Sequence, residues 1–243
     1  YYLTVSGHLE YNFFGNAMCM RNRGAVEHLD LPEAARAYLA CNIELDKAIG
    51  VLLQKLEETG HDKDTVIMLA PDHYPYGLDT ESLNALAGKQ LDQFSLYQSC
   101  FLIWSADMKG PIVIDKPVSS LDILPTVSNL FDLEYDSRLM MGADMLSDTQ
   151  SPVIFQDHSW LTAYGCYEAA KDHYTSFIDT GDDENYVQSM NYQVDQKFTY
   201  SKLILRKDLY RQIWDDAGLW PGEEPEPEPA PAPATPTEPQ ATP

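Results

Sequence analysis

The pair of residues best suited to chemistry is Asp72-His73, which follows an apolar run at residues 66–70. A carboxylate oxygen beside an imidazole nitrogen is a donor pair that suits Mn²⁺, Mg²⁺ or Zn²⁺. The apolar run predicts a buried strand, and ligands of open α/β sheets collect outside the carboxyl ends of the strands. Pro71 and Pro75 flank the pair and stiffen its loop, which favours fixed ligand positions. The pair therefore predicts two ligands of a divalent metal ion.

His8 is the third candidate side chain, and it lies just beyond another short apolar stretch, residues 3–5. An imidazole at this point could donate a hydrogen bond to a phosphoryl oxygen or to a leaving group. A single histidine is more often structural, as is an Asp-His pair in an ordinary turn, so the functional interpretation depends on a shared location. Arg21 and Arg23 could bind an anion, but solvated surface charges are the simpler interpretation.

The elements that must position these side chains form a predicted strand–helix–strand unit. Residues 3–5 and 65–70 are the strands, and a helix over about residues 32–59 lies between them, with apolar side chains on one face at helical spacing. A proline in its first turn and a glycine just beyond its end suit those positions. Such a connection favours parallel strands, whose carboxyl ends share one edge of the sheet. We therefore expect the candidate histidine and the Asp-His pair to converge at that edge.

The rest of the sequence continues the alternation of helix and strand before its pattern changes near residue 150. A continuous apolar run predicts a central strand, buried on both faces, at residues 99–105. Short apolar stretches after residue 150 predict a small antiparallel sheet followed by helix. The other predicted elements are a helix at 80–88, a strand at 112–114, a helix at 120–131, sheet strands at 153–155, 160–162 and 174–178, and helix over most of 184–214.

Composition excludes some classes of function. The 243 residues contain 16 Lys and Arg against 38 Asp and Glu, a formal charge of −22. So acidic a surface repels nucleic acid, so no nucleic-acid partner is predicted. An anionic substrate would also need a local cation such as a metal. No apolar run approaches the length of a transmembrane helix, so no membrane span is predicted within this chain.

The four cysteines do not identify a compartment, because none forms a C-x-x-C pair. Cys41 and Cys100 lie in apolar helix and strand patterns, where a buried thiol is the simpler interpretation. A disulfide stays open as an alternative. The chain opens directly on an apolar, strand-like stretch, from which we expect a fragment whose N-terminal part is missing.

Five sequence blocks follow one another along the chain, namely Ser6-Gly7-His8 and residues 38–46, 71–78, 120–126 and 139–142. The Asp-His-Tyr-Pro-Tyr-Gly and Leu-Asp-Ile-Leu-Pro-Thr blocks are specific in combination. In this order, the five blocks resemble the second half of the extracellular catalytic domain of lipoteichoic acid synthase-type phosphoglycerol transferases. That family belongs to the alkaline phosphatase/sulfatase superfamily, and the resemblance covers about residues 1–215.

The resemblance implies roles for the candidate residues. Asp72 and His73 would be two ligands of a single Mn²⁺ or Mg²⁺, and His8 would contact the glycerophosphate group. A Glu ligand and a Thr nucleophile would belong to the missing half, together with membrane helices that anchor the parent chain and place this domain outside the bacterial cell. The substrate would be an anionic lipid, phosphatidylglycerol, whose glycerophosphate passes through a covalent enzyme intermediate to a cell-envelope acceptor.

The resemblance also implies the fold class and domains. The fold class is α/β, a partial sulfatase-like domain with a mostly parallel sheet flanked by helices, plus a small C-terminal antiparallel subdomain. Residues 1–150 would be the second half of the catalytic domain and residues 151–217 the β/α subdomain. From composition we expect residues 218–243 to be a disordered, acidic, Pro-rich tail, because they cannot supply a core.

Two alternatives stay open. One is a sulfatase or phosphodiesterase of the same superfamily, which the identity of the nucleophile would distinguish. The other is of a different class, an extracellular metal-stabilised binding module. No candidate nucleophile in this chain has a convincing context. The segment Cys19-Met-Arg-Asn-Arg23 resembles the sulfatase motif Cys-x-Pro-x-Arg, but it has no proline.

We therefore expect the 243-residue chain alone to be inactive, because it lacks the nucleophile and the remaining ligands. The measurement is turnover of a chromogenic phosphodiester by the isolated chain in the presence of Mn²⁺. Turnover above background that Asp72→Ala abolishes would contradict this expectation.

Overall fold

A computed structural model describes residues 1–178 and 181–218. The chain divides into two compact units, one comprising Tyr1–Val113 and the other beginning at Ile114. This division does not coincide with the predicted boundary at residue 150, and the assignment of those segments stays a prediction. The predicted tail lies outside the described residues, apart from Gly218.

The first unit contains four α-helices and two strands within its described residues. They are α1 (Ala17–Arg21), α2 (Arg23–Val26), α3 (Glu33–Thr59), β1 (Val66–Leu69), α4 (Thr80–Ala87) and β2 (Leu102–Ser105), with a 3₁₀ turn at Ser95–Tyr97.

The core of the first unit forms where α1 and α2 pack on α3. Cys19 of α1, Val26 of α2, and Ala37, Ala40 and Cys41 of α3 are buried there. Small side chains on α3 let the short helices approach closely, so the interface excludes water although it is small. The long predicted helix is confirmed, and it ends at a glycine, Gly60, with φ of 73°.

The predicted parallel pairing is wrong for the described strands. Residues 3–5 form no strand, and Leu3 is 71% exposed. A strand needs a neighbour for its backbone hydrogen bonds, and this segment has none among the described residues. Instead β1 pairs with β2 in antiparallel register, Val66 opposite Ser105 and Leu69 opposite Leu102.

Two other strand predictions also need correction. Leu102, at the start of β2, is 55% exposed, so β2 is not buried on both faces. Residues 112–114 are apolar but form no strand, and their side chains are exposed. Apolar runs predict the capacity for burial, whereas burial itself requires a covering element.

The second unit combines a four-stranded sheet with helices. Its described elements are α5 (Ile123–Leu130) after a 3₁₀ turn at Ser120–Asp122, a 3₁₀ turn at Ser137–Leu139, β3 (Val153–Ile154), β4 (Trp160–Leu161), β5 (Gly165–Glu168), a 3₁₀ turn at Ala169–Lys171, β6 (His173–Ser176), α6 (Asp183–Lys207) and α7 (Leu209–Asp216).

The sheet of the second unit confirms the predicted small antiparallel sheet. Its order is β3-β4-β5-β6, and every neighbouring pair is antiparallel. Trp160 of β4 is fully buried against Met190 and Val194 of α6. Its indole Nε1 donates a hydrogen bond of 2.8 Å to Asn191 Oδ1, which satisfies the polar end of a buried ring. The α/β class is therefore confirmed.

The Leu-Asp-Ile-Leu-Pro-Thr block has a structural role in the second unit. The carboxylate of Asp122 is buried and accepts hydrogen bonds of 2.8 Å from the backbone N–H groups of Ser119 and Ala143. Thr126 Oγ1 donates to the Asp122 carbonyl at 2.6 Å and accepts from the N–H of Met145 at 2.8 Å. The block therefore caps its own helix and holds the loop at residues 143–145.

Gly142 and Lys197 complete this packing. A Cβ at Gly142 would lie 2.1 Å from the carbonyl oxygen of Leu121, so the close approach of the two backbones requires glycine. Lys197 Nζ donates to the carbonyl of Met141. Burial lowers the pKa of Lys197, and the nearby Asp122 carboxylate opposes that shift.

Within residues 1–178 and 181–218, none of the helices has both the length and the apolar character that crossing a bilayer requires.

We expect Asp122→Ala to lower the free energy of unfolding of the protein by about 2–4 kcal/mol, because it leaves two backbone N–H groups without acceptors. Urea unfolding followed by circular dichroism measures this change. The matched control is Asp148→Ala, which removes an exposed carboxylate and should change stability by less than about 0.5 kcal/mol. Equal effects of the two variants would contradict the capping role.

Candidate functional site

The loop that carries Asp72 and His73 is anchored at both ends. It begins after β1, and two tight turns follow, in which Tyr76 N–H donates to the Tyr74 carbonyl at 2.8 Å and Leu78 N–H donates to the Pro75 carbonyl at 3.0 Å. It ends at the N-terminus of α4, where the carboxylate of the capping residue Asp79 accepts from the Ser82 N–H at 2.7 Å. These hydrogen bonds give the loop a defined path.

Asp72 and His73 face each other across a short distance. The His73 Nε2 atom lies 3.4 Å from Asp72 Oδ2, and the His73 N–H donates to Asp72 Oδ1 at 3.0 Å. Their side chains are 68% exposed for Asp72 and 44% exposed for His73, so an ion from solvent can reach both.

A backbone contact sets the protonation pattern of the His73 ring. Its Nδ1 lies 2.8 Å from the carbonyl oxygen of Tyr74. A carbonyl oxygen only accepts, so this hydrogen bond requires the proton on Nδ1. In the neutral form of the ring, the lone pair is then at Nε2, on the side of Asp72. Metal-binding histidines use the same arrangement, in which the second ring nitrogen donates to a carbonyl or carboxylate.

The donor pair fits a divalent metal ion. Ligand distances of about 2.0–2.2 Å place adjacent ligand atoms about 3.0–3.5 Å apart, and the observed separation of 3.4 Å between the two donor atoms falls in this range. Within residues 1–178 and 181–218, no three His, Cys, Asp or Glu side chains group closely enough to hold a metal. Asp72 and His73 could therefore supply two ligands to such an ion, and metal binding at this pair stays a prediction.

Aromatic rings support the loop from one side. The His73 ring lies 4.6 Å from the Tyr76 ring, and the Tyr74 ring meets that of Tyr97 edge to face at 5.3 Å. Rings in such contacts restrict one another's rotation, so they help to fix the orientation of the imidazole.

The segment that carries His8 lies against this loop. The side chain of Leu9 occupies the space beside Gly77, where a Cβ would come within 1.8 Å of Leu9 Cδ2. The imidazole of His8 is exposed, and its backbone N–H closes a turn to the Val5 carbonyl at 3.2 Å. The two loops therefore meet, although no parallel sheet brings them together. The roles of His8, Asp72 and His73 stay predictions.

Tyr11 connects the His8 segment to α3. Its hydroxyl donates to the Gly7 carbonyl at 3.1 Å, and its ring meets that of Tyr38 edge to face at 5.2 Å. Burial, helped by the neighbouring Cys41, Tyr38 and other ionisable side chains, raises the pKa of Tyr11 to about 12. The phenol therefore keeps its proton at neutral pH and continues to donate to the turn that precedes His8.

The two candidate arginines, and also His158, have partners within their own unit. Arg21 contacts the Glu44 carboxylate at 2.5 Å, and Arg23 lies 5.4 Å from the centre of the Phe13 ring. His158 pairs with Asp195 at 2.7 Å. The structure thus favours structural roles for these side chains over anion binding.

Comparison with known protein families identifies the family of this chain. The sulfatase family model matches residues 6–133, just over half of the chain and a segment that includes all three candidate residues. The chain belongs to the sulfatase family.

Two relatives refine this placement within the sulfatase family. The chain is 27% identical over 124 residues to a lipoteichoic acid synthase of Staphylococcus saprophyticus, a match that covers 49% of this chain and 19% of that protein. The lipoteichoic acid synthase LtaP of Listeria monocytogenes has a similar fold, with a TM-score of 0.59 at 19% identity, over 81% of this chain and 52% of that one. These matches confirm the resemblance and the partial sulfatase-like fold, and they show that the chain spans only part of each relative.

One residue that sequence reasoning missed is Tyr74, whose carbonyl sets the tautomer of His73. A backbone acceptor leaves no signature in residue type, so sequence alone could not identify it.

We expect Gly77→Ala to displace Leu9 and to destabilise the protein by about 1–2 kcal/mol, because the added methyl group has no space. The double variant Gly77→Ala/Leu9→Ala should recover most of that loss. Thermal unfolding measures the stability, and the imidazole NMR signals of His8 and His73 report the loop geometry. Gly110→Ala, where the added methyl meets open space, is the control. If the double variant recovers nothing, the contact between the loops is not the cause.

Proposed function

We propose that this chain is part of the catalytic domain of a metal-dependent phosphoglycerol transferase, which moves glycerophosphate from phosphatidylglycerol to a cell-envelope acceptor. The observation that carries the proposal is the Asp72–His73 donor pair, with the His73 tautomer fixed by a backbone carbonyl and the His8 loop packed beside it. Membership of the sulfatase family and similarity to lipoteichoic acid synthases support this chemistry.

Each side chain has a distinct role in this proposal. Asp72 Oδ2 and His73 Nε2 bind one Mn²⁺ or Mg²⁺, and Tyr74 holds the imidazole in the required orientation. The ion supplies positive charge that stabilises the phosphoryl oxygens during transfer. His8 donates a hydrogen bond to the phosphoryl group or to the leaving oxygen. Since the chain carries a net charge of −22, these local groups must attract the anionic lipid.

The proposal assigns the nucleophile and the remaining ligands to the part of the family domain that this chain does not span. The relatives are longer than the matched region, which covers 19% of the curated protein and 52% of the solved chain. We also assign membrane anchorage to that part and a location on the outer face of the bacterial membrane to this domain.

Sulfate or phosphate ester hydrolysis is the second candidate, and the match to the sulfatase family model favours it. The two candidates share the metal pair and differ in the nucleophile and in the group that accepts the transferred unit. Release of diacylglycerol from phosphatidylglycerol by the natural full-length protein, lost in Asp72→Asn, supports transfer. Turnover of a sulfate ester without diacylglycerol release supports the second candidate.

Metal binding to this chain can be measured directly by NMR, without following a catalysed reaction. We expect Mn²⁺ to broaden the imidazole signals of His73 at lower concentration than those of His28, His61, His158 and His173, because a paramagnetic ion acts most strongly on the nearest nuclei. Asp72→Asn should raise the Mn²⁺ concentration needed by at least about tenfold. His73→Gln should remove preferential broadening at the neighbouring Tyr74 and Tyr76.

The chain offers a matched control in another adjacent and solvent-accessible His-Asp pair. The variant His61→Gln/Asp62→Asn removes a similar donor set from the loop after α3 and should leave Mn²⁺ binding at His73 unchanged. Equal broadening of all histidines, unaffected by Asp72→Asn, would exclude the metal pair.

A further inference from the structure

Cys19 and Cys41 are buried next to each other in the core of the first unit. Both side chains have no exposed surface, and both belong to the cluster formed by α1, α2 and α3. The Cys19 thiol donates to the carbonyl of Ala37 at 3.2 Å, and the Cys41 thiol donates to the carbonyl of Tyr38 at 3.1 Å. Each thiol therefore lies against the same turn of α3.

The two thiols also lie close to each other. Ala37 precedes Cys41 by one helical turn, so its carbonyl oxygen points toward the backbone of Cys41 and brings the Cys19 sulfur to that residue. The Cys41 sulfur lies against the neighbouring carbonyl of the same turn, that of Tyr38. Rotation about χ1 can bring two sulfur atoms placed in this way to a bonding distance of about 2.05 Å.

We propose that Cys19 and Cys41 form an intramolecular disulfide that ties α1 to α3. The proximity of the thiols does not depend on the proposed function, although the extracellular location in that proposal would supply an oxidising compartment.

The oxidation requires an external disulfide, such as oxidised glutathione or a thiol–disulfide oxidoreductase. One cysteine thiolate attacks that disulfide and forms a mixed disulfide, and the thiolate of the second cysteine displaces it. One S–S bond forms in the protein and one breaks in the oxidant. The two cysteines lose two electrons and two protons, which leave as the two thiols of the reduced oxidant.

Burial determines when this reaction takes place. Desolvation, with the neighbouring Cys19 as the next cause, raises the pKa of Cys41 to about 12, and burial also raises the pKa of Cys19. The attacking thiolate is therefore scarce in the folded protein at neutral pH. The disulfide forms during folding, before the helices close over it, and afterwards reductants cannot reach it without unfolding.

The disulfide fixes the segment that leads from His8 into α1. That segment is already held by the Asn16 side chain, which caps α1 through the N–H of Met18 at 2.9 Å, and by the contact of Tyr11 with Tyr38. A covalent bond between Cys19 and Cys41 would prevent α1 from separating from α3. It would hold the His8 turn in place even when the weaker contacts fluctuate.

The test maps the thiols of the full chain after secretion into an oxidising compartment or refolding in a glutathione redox buffer. The protein is denatured and alkylated with iodoacetamide without reduction, then digested and analysed by mass spectrometry. We expect one linked peptide pair containing Cys19 and Cys41, lighter by two hydrogen atoms than its reduced sum, and an alkylated Cys100, which is exposed. Quantitative alkylation of Cys19 and Cys41, or linkage of either to another cysteine, overturns the proposal.

Stability supplies a second, independent measurement. Reduction of the wild-type protein under denaturing conditions, followed by refolding in reductant, should lower the melting temperature by about 5–10 °C, as expected for a loop of this length. Cys100→Ala should retain this redox-dependent shift, whereas Cys19→Ala/Cys41→Ala should lose it. The same melting temperature for the oxidised and reduced wild type would contradict a constraint between the helices. Neither measurement uses metal or lipid, so each is independent of the transferase proposal.

Discussion

The packing of α1 and α2 on α3 is the constraint on which the rest of the first unit depends. Small buried side chains, among them Ala37, Ala40 and Cys41, let the helices approach closely enough to exclude water. This interface fixes the segment before α1, whose Tyr11 contacts Tyr38 of α3 and whose Leu9 contacts the loop of Asp72 and His73. The candidate site therefore depends on helix packing more than on the two-stranded sheet beside it.

Backbone groups set the chemistry of the site as much as side chains do. The Tyr74 carbonyl decides which His73 nitrogen keeps its proton, and thereby which one faces Asp72. The Gly7 carbonyl accepts from Tyr11, whose raised pKa keeps that hydroxyl a donor across the physiological range. These backbone contacts orient the side chains of the site. Solvent-exposed ion pairs alone would do this poorly, because each contributes little free energy to stability.

In the second unit, the Leu-Asp-Ile-Leu-Pro-Thr block has a structural role, although it also carries the family resemblance. Asp122, Thr126 and Gly142 serve the junction between α5 and the following loop, where each satisfies a backbone group or allows a close approach. None of them needs a substrate to explain its residue type. Loss of any one member destabilises a buried polar network of this kind, because its partner is left without a hydrogen bond.

The sequence by itself determined the long helix α3, the small antiparallel sheet, the α/β class and the Asp72–His73 loop, because these follow from local periodicity, turn residues and neighbouring side chains. It also predicted that His8 and the Asp-His pair would converge at one edge of a parallel sheet, which stays a prediction for the side chains. Residues 3–5 form no strand, and the contact between the two segments is that of Leu9 with Gly77. Only the tertiary structure decided the antiparallel pairing of β1 with β2, the exposure of Leu102 and Cys100, the hydrogen bond that orients the His73 ring, and the proximity of Cys19 to Cys41. Each of these depends on which distant segment supplies a partner, and neither an apolar run nor a single cysteine identifies that partner.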